Sequence, residues 1–192
     1  MTGQHIYRIT VTGDPGSGKT TFARTVSEKT GFRLITTGNI FRKLAAEQGV
    51  SLNELNEMAE TQARLDHEVD DYLKTLNQSE ENLVLDSRMG WFFVRDSLKV
   101  RLTVDPDVAA HRIFSDTAEM RGLSGENFQT LQTAIAEVDR RKRSEVMRYS
   151  KLYSVDISDP ANFDLVINTS HKAPDDVTRE FEEKFALYKA SH

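Results

Sequence analysis

The chain has 192 residues, 38% of them apolar and 29% charged, a balance that fits one globular domain with room for a sizeable core. It contains no cysteine, which excludes disulfides and thiolate metal sites, and its formal net charge of −5 argues against broad nucleic-acid binding. No window approaches a membrane span and the alternating residues 5–12 are unlike an export signal, so a cytoplasmic protein without a membrane or nucleic-acid partner is expected.

In chain order, Ile6, Tyr7, Ile9 and Val11 mark a strand over residues 6–12 that runs into Gly13–Thr20, GDPGSGKT. This is a phosphate-binding loop in its proper setting between a strand and a helix. Its glycines at 13, 16 and 18 let backbone N–H groups converge on one anion, helped by the positive end of the next helix. Lys19 has the reach for the β and γ phosphates of a nucleotide, and Thr20 offers a hydroxyl to the accompanying magnesium. The helix over 19–29 buries Phe22 and Val26 and stops at Gly31. A strand over 32–35 leads to a helix capped by Thr37, with Ile40, Phe41, Leu44 and Ala45 as its apolar stripe and Gly49 at its end. Ser51 and Glu54 form a capping box for a helix carrying Leu52, Leu55 and Met58. Leu65, Val69, Leu73 and Leu76 continue the helical region to about residue 77, so this stretch is an insertion beside the sheet.

A third strand, 83–85, delivers Asp86, Ser87 and Arg88 to its carboxyl end. The fourth, 98–104, alternates Leu98, Val100, Leu102 and Val104 against Lys99, Arg101 and Thr103. Asp105 caps the next helix with Pro106 first; Val108 and Ile113 pack within 108–114, and Arg112 projects. After a loop at 122–125, a helix over 127–148 buries Phe128, Leu131, Ile135 and Val138 and then turns basic at Arg140, Arg141, Lys142, Arg143 and Arg148. Residues 156–163 are irregular; a fifth strand, 165–167, precedes a closing helix over 175–189 with Val177, Phe181 and Phe185 inward. This alternation implies an α/β fold, a five-stranded parallel sheet with helices on both faces. Ligands of such sheets bind beyond the carboxyl ends of the strands, which gathers Lys19, Arg42, Asp86, Arg88 and the residues after Ile167 around one crevice. Arg141, Glu145 and Arg148 fall on one helix face. His5, His67, His111, His171 and His192 show no metal-ligand spacing and are expected at the surface.

GDPGSGKTT, TTGNIFRKLAAEQGVSL, LVLDSRMGW, EVDRRKRSEVMRYSKLYSVDI and FDLVINTS, in this order and spacing, resemble the cytidylate kinase family in its compact archaeal-type form. The resemblance covers nearly the whole chain. It implies one kinase domain over 1–192, of the P-loop nucleoside monophosphate kinase type, with residues 36–77 as the monophosphate-binding insertion and 115–148 as a lid region. It implies transfer of the γ-phosphoryl of ATP to CMP or dCMP, with Mg2+, by a monomer. The implied ATP site comprises Gly13, Asp14, Pro15, Gly16, Ser17, Gly18, Lys19, Thr20 and Thr21, with Arg112 near the base. Arg42, Arg88, Arg141, Glu145 and Arg148 would hold the acceptor, and Lys19, Arg88, Arg141 and Arg148 would act in catalysis. Thr20, and Asp86 through water, would serve the metal.

The chain departs from the family pattern at Asp14, where a proline is usual, at Asn39 in place of the common aspartate, and at Ser87 in place of a glycine. DSRMG also lacks the second aspartate of the bacterial DGRDMG, which helps to read cytosine there. Two other classes share the loop: a P-loop kinase for a different nucleoside monophosphate, and a nucleotide-binding regulator without transfer activity. The regulator would have no use for Arg42, Arg88, Arg141 and Arg148.

Overall fold

A computed structural model describes residues 5–50, 54–55, 63–119 and 130–192. Ser51, Leu52, Met58, the 122–125 loop and Phe128 lie outside the described residues. Five strands, β1 (Arg8–Gly13), β2 (Arg33–Thr36), β3 (Leu83–Asp86), β4 (Leu98–Thr103) and β5 (Leu165–Asn168), form one parallel sheet in the order β2-β3-β1-β4-β5. Val11 pairs with Asp86 and Gly13 with Leu102, so β1, β3 and β4 end together at one edge of the sheet.

Among the described residues the helices include α1 (Lys19–Thr30), α2 (Thr37–Gln48), α3 (Ala63–Thr75), the single turn α4 (Gly90–Phe93), α5 (Pro106–Glu119), α6 (Leu131–Tyr153) and α7 (Pro174–Ser191). β3 shows why both sheet faces are covered. Its Val84 packs with Phe22, Val26, Phe181 and Phe185 of α1 and α7, whereas Leu83 and Leu85 pack with Ile40, Leu44, Leu65 and Leu73 of α2 and α3. A strand buried on both faces reads as an unbroken apolar run. α5 and α6 pack together through Ala109, Ala110, Ala134 and Val138. The buried Arg8 of β1 donates to the carbonyls of Leu76, Asn77 and Ser79, tying the end of the helical insertion to the central strand.

Several boundaries differ from the sequence expectation. Thr36 rather than Thr37 caps α2: β2 stays extended through Thr36, whose hydroxyl accepts the Asn39 N–H at 3.1 Å, while Thr37 donates to the Asp86 carbonyl at 3.3 Å. α6 is capped by Thr130 with Thr133 and runs on to Tyr153, and α5 continues past residue 114 to Glu119. The turn α4 and the 3-10 turn Pro160–Asn162 carry no periodic signal because each is too short to show one. Arg101, a polar member of the alternating fourth strand, is buried at 7% exposure. His5 is half-buried, its ring 4.5 Å from that of Tyr7, rather than a solvated surface residue. No described helix is long and apolar enough to cross a membrane.

Candidate active site

The loop after β1 is shaped by crowding. A Cβ on Gly13 would stand 2.5 Å from the Leu102 carbonyl oxygen of β4, and Gly16, at φ +73°, would put one 2.9 Å from the Ala109 carbonyl oxygen of α5. Only glycine fits a left-handed position pressed against a neighbouring backbone. The Asp14 N–H donates to the Leu102 carbonyl at 3.0 Å and the Ser17 N–H to the Asp14 carbonyl at 3.1 Å, which curls the loop onto the start of α1. At the end of β5, the Thr169 N–H donates to Thr103 and its hydroxyl stands 3.1 Å from the Ser17 carbonyl. Arg112 of α5 donates to the Gly16 carbonyl at 3.2 Å and to the Thr169 carbonyl at 2.7 Å.

Lys19 and Thr20, in the first turn of α1, meet Asp86 from the end of β3. The Thr20 hydroxyl donates to Asp86 Oδ2 at 2.6 Å, and Lys19 Nζ stands 3.7 Å from Oδ1. Burial pushes the Lys19 ammonium below its ordinary pKa and the Arg88 guanidinium adds to this, while Asp86 and Glu145 pull it back. A cation held under such tension is poised for an anion. Arg88, two residues beyond β3, donates to the Gly13 carbonyl and, through Nε at 3.1 Å, to Glu145 of α6. It therefore links the loop, the sheet edge and α6.

Thr20 and Asp86 are a hydroxyl and a carboxylate, hard oxygen donors that suit Mg2+. Among the described residues no group of three or more His, Cys, Asp or Glu side chains is placed to hold a metal. The donor set thus fits an ion that takes most of its coordination from phosphate oxygens and water, as Mg2+ does in phosphoryl-transfer sites.

Asp14 raises the question of an acid beside a phosphate site, and its surroundings answer it. The carboxylate is buried, 3.0 Å from a guanidinium nitrogen of Arg101 and 2.9 Å from Nζ of Lys142 on α6. Its charge is neutralised on the spot and serves to tie β4 and α6 to the loop. Neither Arg101 nor Lys142 was picked out from the sequence. The available signal was Asp14 itself, since a buried acid needs a cation and β4 carries an arginine among its apolar residues.

Arg42 of α2 is exposed and donates to Asn39 Oδ1 at 2.6 Å, so a neutral amide orients it without cancelling its charge. Arg42 lines a cavity of about 590 Å³ together with Lys19, Thr20, Thr37, Asp86 and Arg88. Thr37 and Arg88 also wall a second cavity of about 280 Å³, whose lining includes Phe41, Asp70, Tyr149 and Tyr153 as well as Arg148. A third space, of about 380 Å³, lies on the other side of the loop between Gly18, Thr21, Arg112 and Thr169. Of the candidate arginines, the structure brings Arg42, Arg88 and Arg148 to the two adjoining cavities and Arg112 to the third. Arg141 lies on α6, its side chain outside the described residues.

The sequence that builds this site is similar to those of known proteins. The model of the cytidylate kinase-like family matches residues 8–171. The chain belongs to the cytidylate kinase-like family. Similar members include a cytidylate kinase of Archaeoglobus fulgidus, 37% identical over 84% of this chain and 85% of that protein, and one of Methanobrevibacter smithii, 37% identical over 89% and 94%. Family membership makes it a nucleoside monophosphate kinase. Solved structures share the fold alone: an uncharacterized protein from Eubacterium ventriosum, with a TM-score of 0.70 at 14% identity over 98% of this chain and 100% of that one, and a shikimate kinase from Bacteroides thetaiotaomicron, with 0.62 at 18% over 95% and 99%.

Proposed function

We propose that the chain transfers the γ-phosphoryl group of ATP to CMP or dCMP, giving the diphosphate. The observation that carries this is Arg88, which touches the phosphate-binding loop and lines both adjoining cavities, so that a donor held by the loop and an acceptor held by the cavities share one guanidinium. ATP lies with its phosphates over residues Gly13–Thr21 and its base toward the space beside Arg112 and Thr169. The acceptor phosphate meets Arg42 and Arg88. It displaces Glu145 from Arg88 and leaves that carboxylate to the acceptor ribose.

An acceptor phosphate is already an anionic nucleophile, so the site needs alignment and charge stabilisation rather than a general base. Lys19 follows the charge on the transferred group, and Arg141 and Arg148 add theirs as the lid closes over it. Thr20, and Asp86 through water, would hold Mg2+, which would offset the charge of the donor phosphates. Every group in this scheme comes from one chain, in keeping with a monomer. The test is a coupled assay for ADP with ATP-Mg and each nucleoside monophosphate in turn. CMP and dCMP should give the highest kcat/KM; a higher value for AMP or UMP would refute the acceptor assignment and leave the kinase assignment standing.

A further inference from the structure

Helix α6 has apolar contacts at two places along its length. Val138 packs with Ala109 and Ala110 of α5, and further along Val146 and Tyr149 pack with Met89 and Trp91. Between these anchors, from Asp139 to Glu145, the helix carries no apolar side chain. This polar span is joined to two consecutive residues of the phosphate-binding loop. Lys142 Nζ stands 2.9 Å from Asp14 Oδ2, while Glu145 accepts from Arg88, which donates onward to the Gly13 carbonyl. Lys142 and Glu145 are three residues apart and so are neighbours on the helix surface.

The two joints differ in kind. Arg88 lines both adjoining cavities, so an acceptor phosphate competes with Glu145 for its guanidinium. Asp14 is an acid and offers an anion nothing to bind. Its place is set from β4: Arg101 holds its other oxygen at 3.0 Å, and that guanidinium also donates to the Ile157 carbonyl and lies over the Phe163 ring. The Asp14 side chain is nearly fully buried whereas that of Lys142 is 42% exposed, so the acid is a fixed post and the lysine comes to it. Resting on the phosphoryl-transfer reading above, we infer that Lys142 is a positioning residue: through Asp14 it seats the polar span of α6 on the phosphate-binding loop, and it keeps that seat when the acceptor phosphate takes Arg88 from Glu145. The same pairing fixes the rotation of α6, and with it the direction of the face that carries Arg148. A displacement of about 1 Å among reacting groups costs on the order of 100-fold in rate, so a joint remote from the transferred phosphate can govern kcat.

The experiment combines steady-state kinetics, with ATP-Mg and CMP, and tryptophan fluorescence without nucleotides. Trp91 is the only tryptophan of the chain and packs with Val146 and Tyr149, so it reports how α6 is seated. Lys142→Met should lower kcat by roughly 10–100-fold with KM for ATP unchanged, and should move Trp91 emission to the red and make it easier to quench with acrylamide. Lys142→Arg, which keeps the charge, should restore both readouts. Asp14→Asn leaves an oxygen for Arg101 and should lose as much kcat as Lys142→Met, and the double variant should lose no more than either single one, because the two side chains act as a unit. Losses that multiply, or a fall in kcat with Trp91 emission unchanged, would mean that Lys142 meets the phosphate itself and would overturn the inference. Should Asp14→Asn not fold, the Trp91 readout of Lys142→Met decides alone. Unchanged kcat in Lys142→Met would overturn the inference and leave the kinase reading standing, whereas an unaltered protein that transfers no phosphoryl group would overturn both.

Discussion

Lys142 Nζ stands 2.9 Å from Asp14 Oδ2, joining α6 to the phosphate-binding loop across 128 residues of chain. On the other flank Asp14 meets Arg101, and both of those side chains are nearly fully buried. Breaking a buried pair by removing one partner costs about 3–5 kcal/mol, because the other charge is left uncompensated. Asp14→Ala is therefore expected to lose about that much stability, at low and high salt alike, since buried pairs are little screened. Lys142 is more exposed, and Lys142→Ala should cost less than about 1 kcal/mol. Urea unfolding of both variants checks this. Equal, small losses would mean that Arg101 is neutralised elsewhere.

Lys19 carries a pH signature. Its pKa in the folded chain lies below the ordinary 10.5, so between the two values the unfolded chain holds a proton that the folded one lacks, and stability rises with pH through that window. ATP reverses the sign: triphosphate favours the charged ammonium, so binding in the same window takes up a proton. Calorimetric titration of ATP in two buffers of different ionisation enthalpy measures that uptake, which Lys19→Met should abolish. Lys19→Ala should also remove most transfer activity with the melting temperature nearly unchanged. Near-normal turnover would sink the assignment.

For the lid, Arg141→Ala and Arg148→Ala should each lower kcat far more than they weaken ATP binding measured without acceptor. An arginine that meets the transferring phosphate is worth up to roughly 10³–10⁵ in rate. Exposed as Arg148 is, its loss should scarcely move the melting temperature. Kinetics alongside thermal unfolding decide the matter; a large stability loss with intact kcat would make these arginines structural.

The metal assignment is tested at Thr20. Thr20→Val removes the hydroxyl that now bonds Asp86 and should raise the Mg2+ concentration needed for half-maximal rate at fixed ATP. Chelation should abolish transfer in both forms. A Mg2+ dependence identical to that of the unaltered protein would place the ion elsewhere.

The strand-to-helix rhythm and the loop were legible because each rests on local pattern: Gly13, Gly16 and Lys19 stand at fixed offsets, and Val26 or Phe181 recur at helical spacing. The long-range pairings were not. The alternation of β4 marks Arg101 as a polar position without naming its partners, which are Asp14 and the Ile157 carbonyl, because β4 is interior to the sheet. Arg141, Glu145 and Arg148 share a helical phase, and among the described side chains of α6 Lys142, one position round the helix, also reaches the loop. Phase alone says which residues share a face and not which face meets the loop.

The place of β1 at the centre of the sheet also dictates when the chain can fold. Its partners are β3, some 75 residues downstream, and β4, later still, so β1 has no strand to pair with until these have left the ribosome. Parallel pairings between such distant segments form slowly, since the intervening loop must be closed before any contact rewards it. The apolar residues Ile9 and Val11 therefore wait exposed during synthesis, and a truncation before β4 leaves one edge of the central strand without its ladder partner.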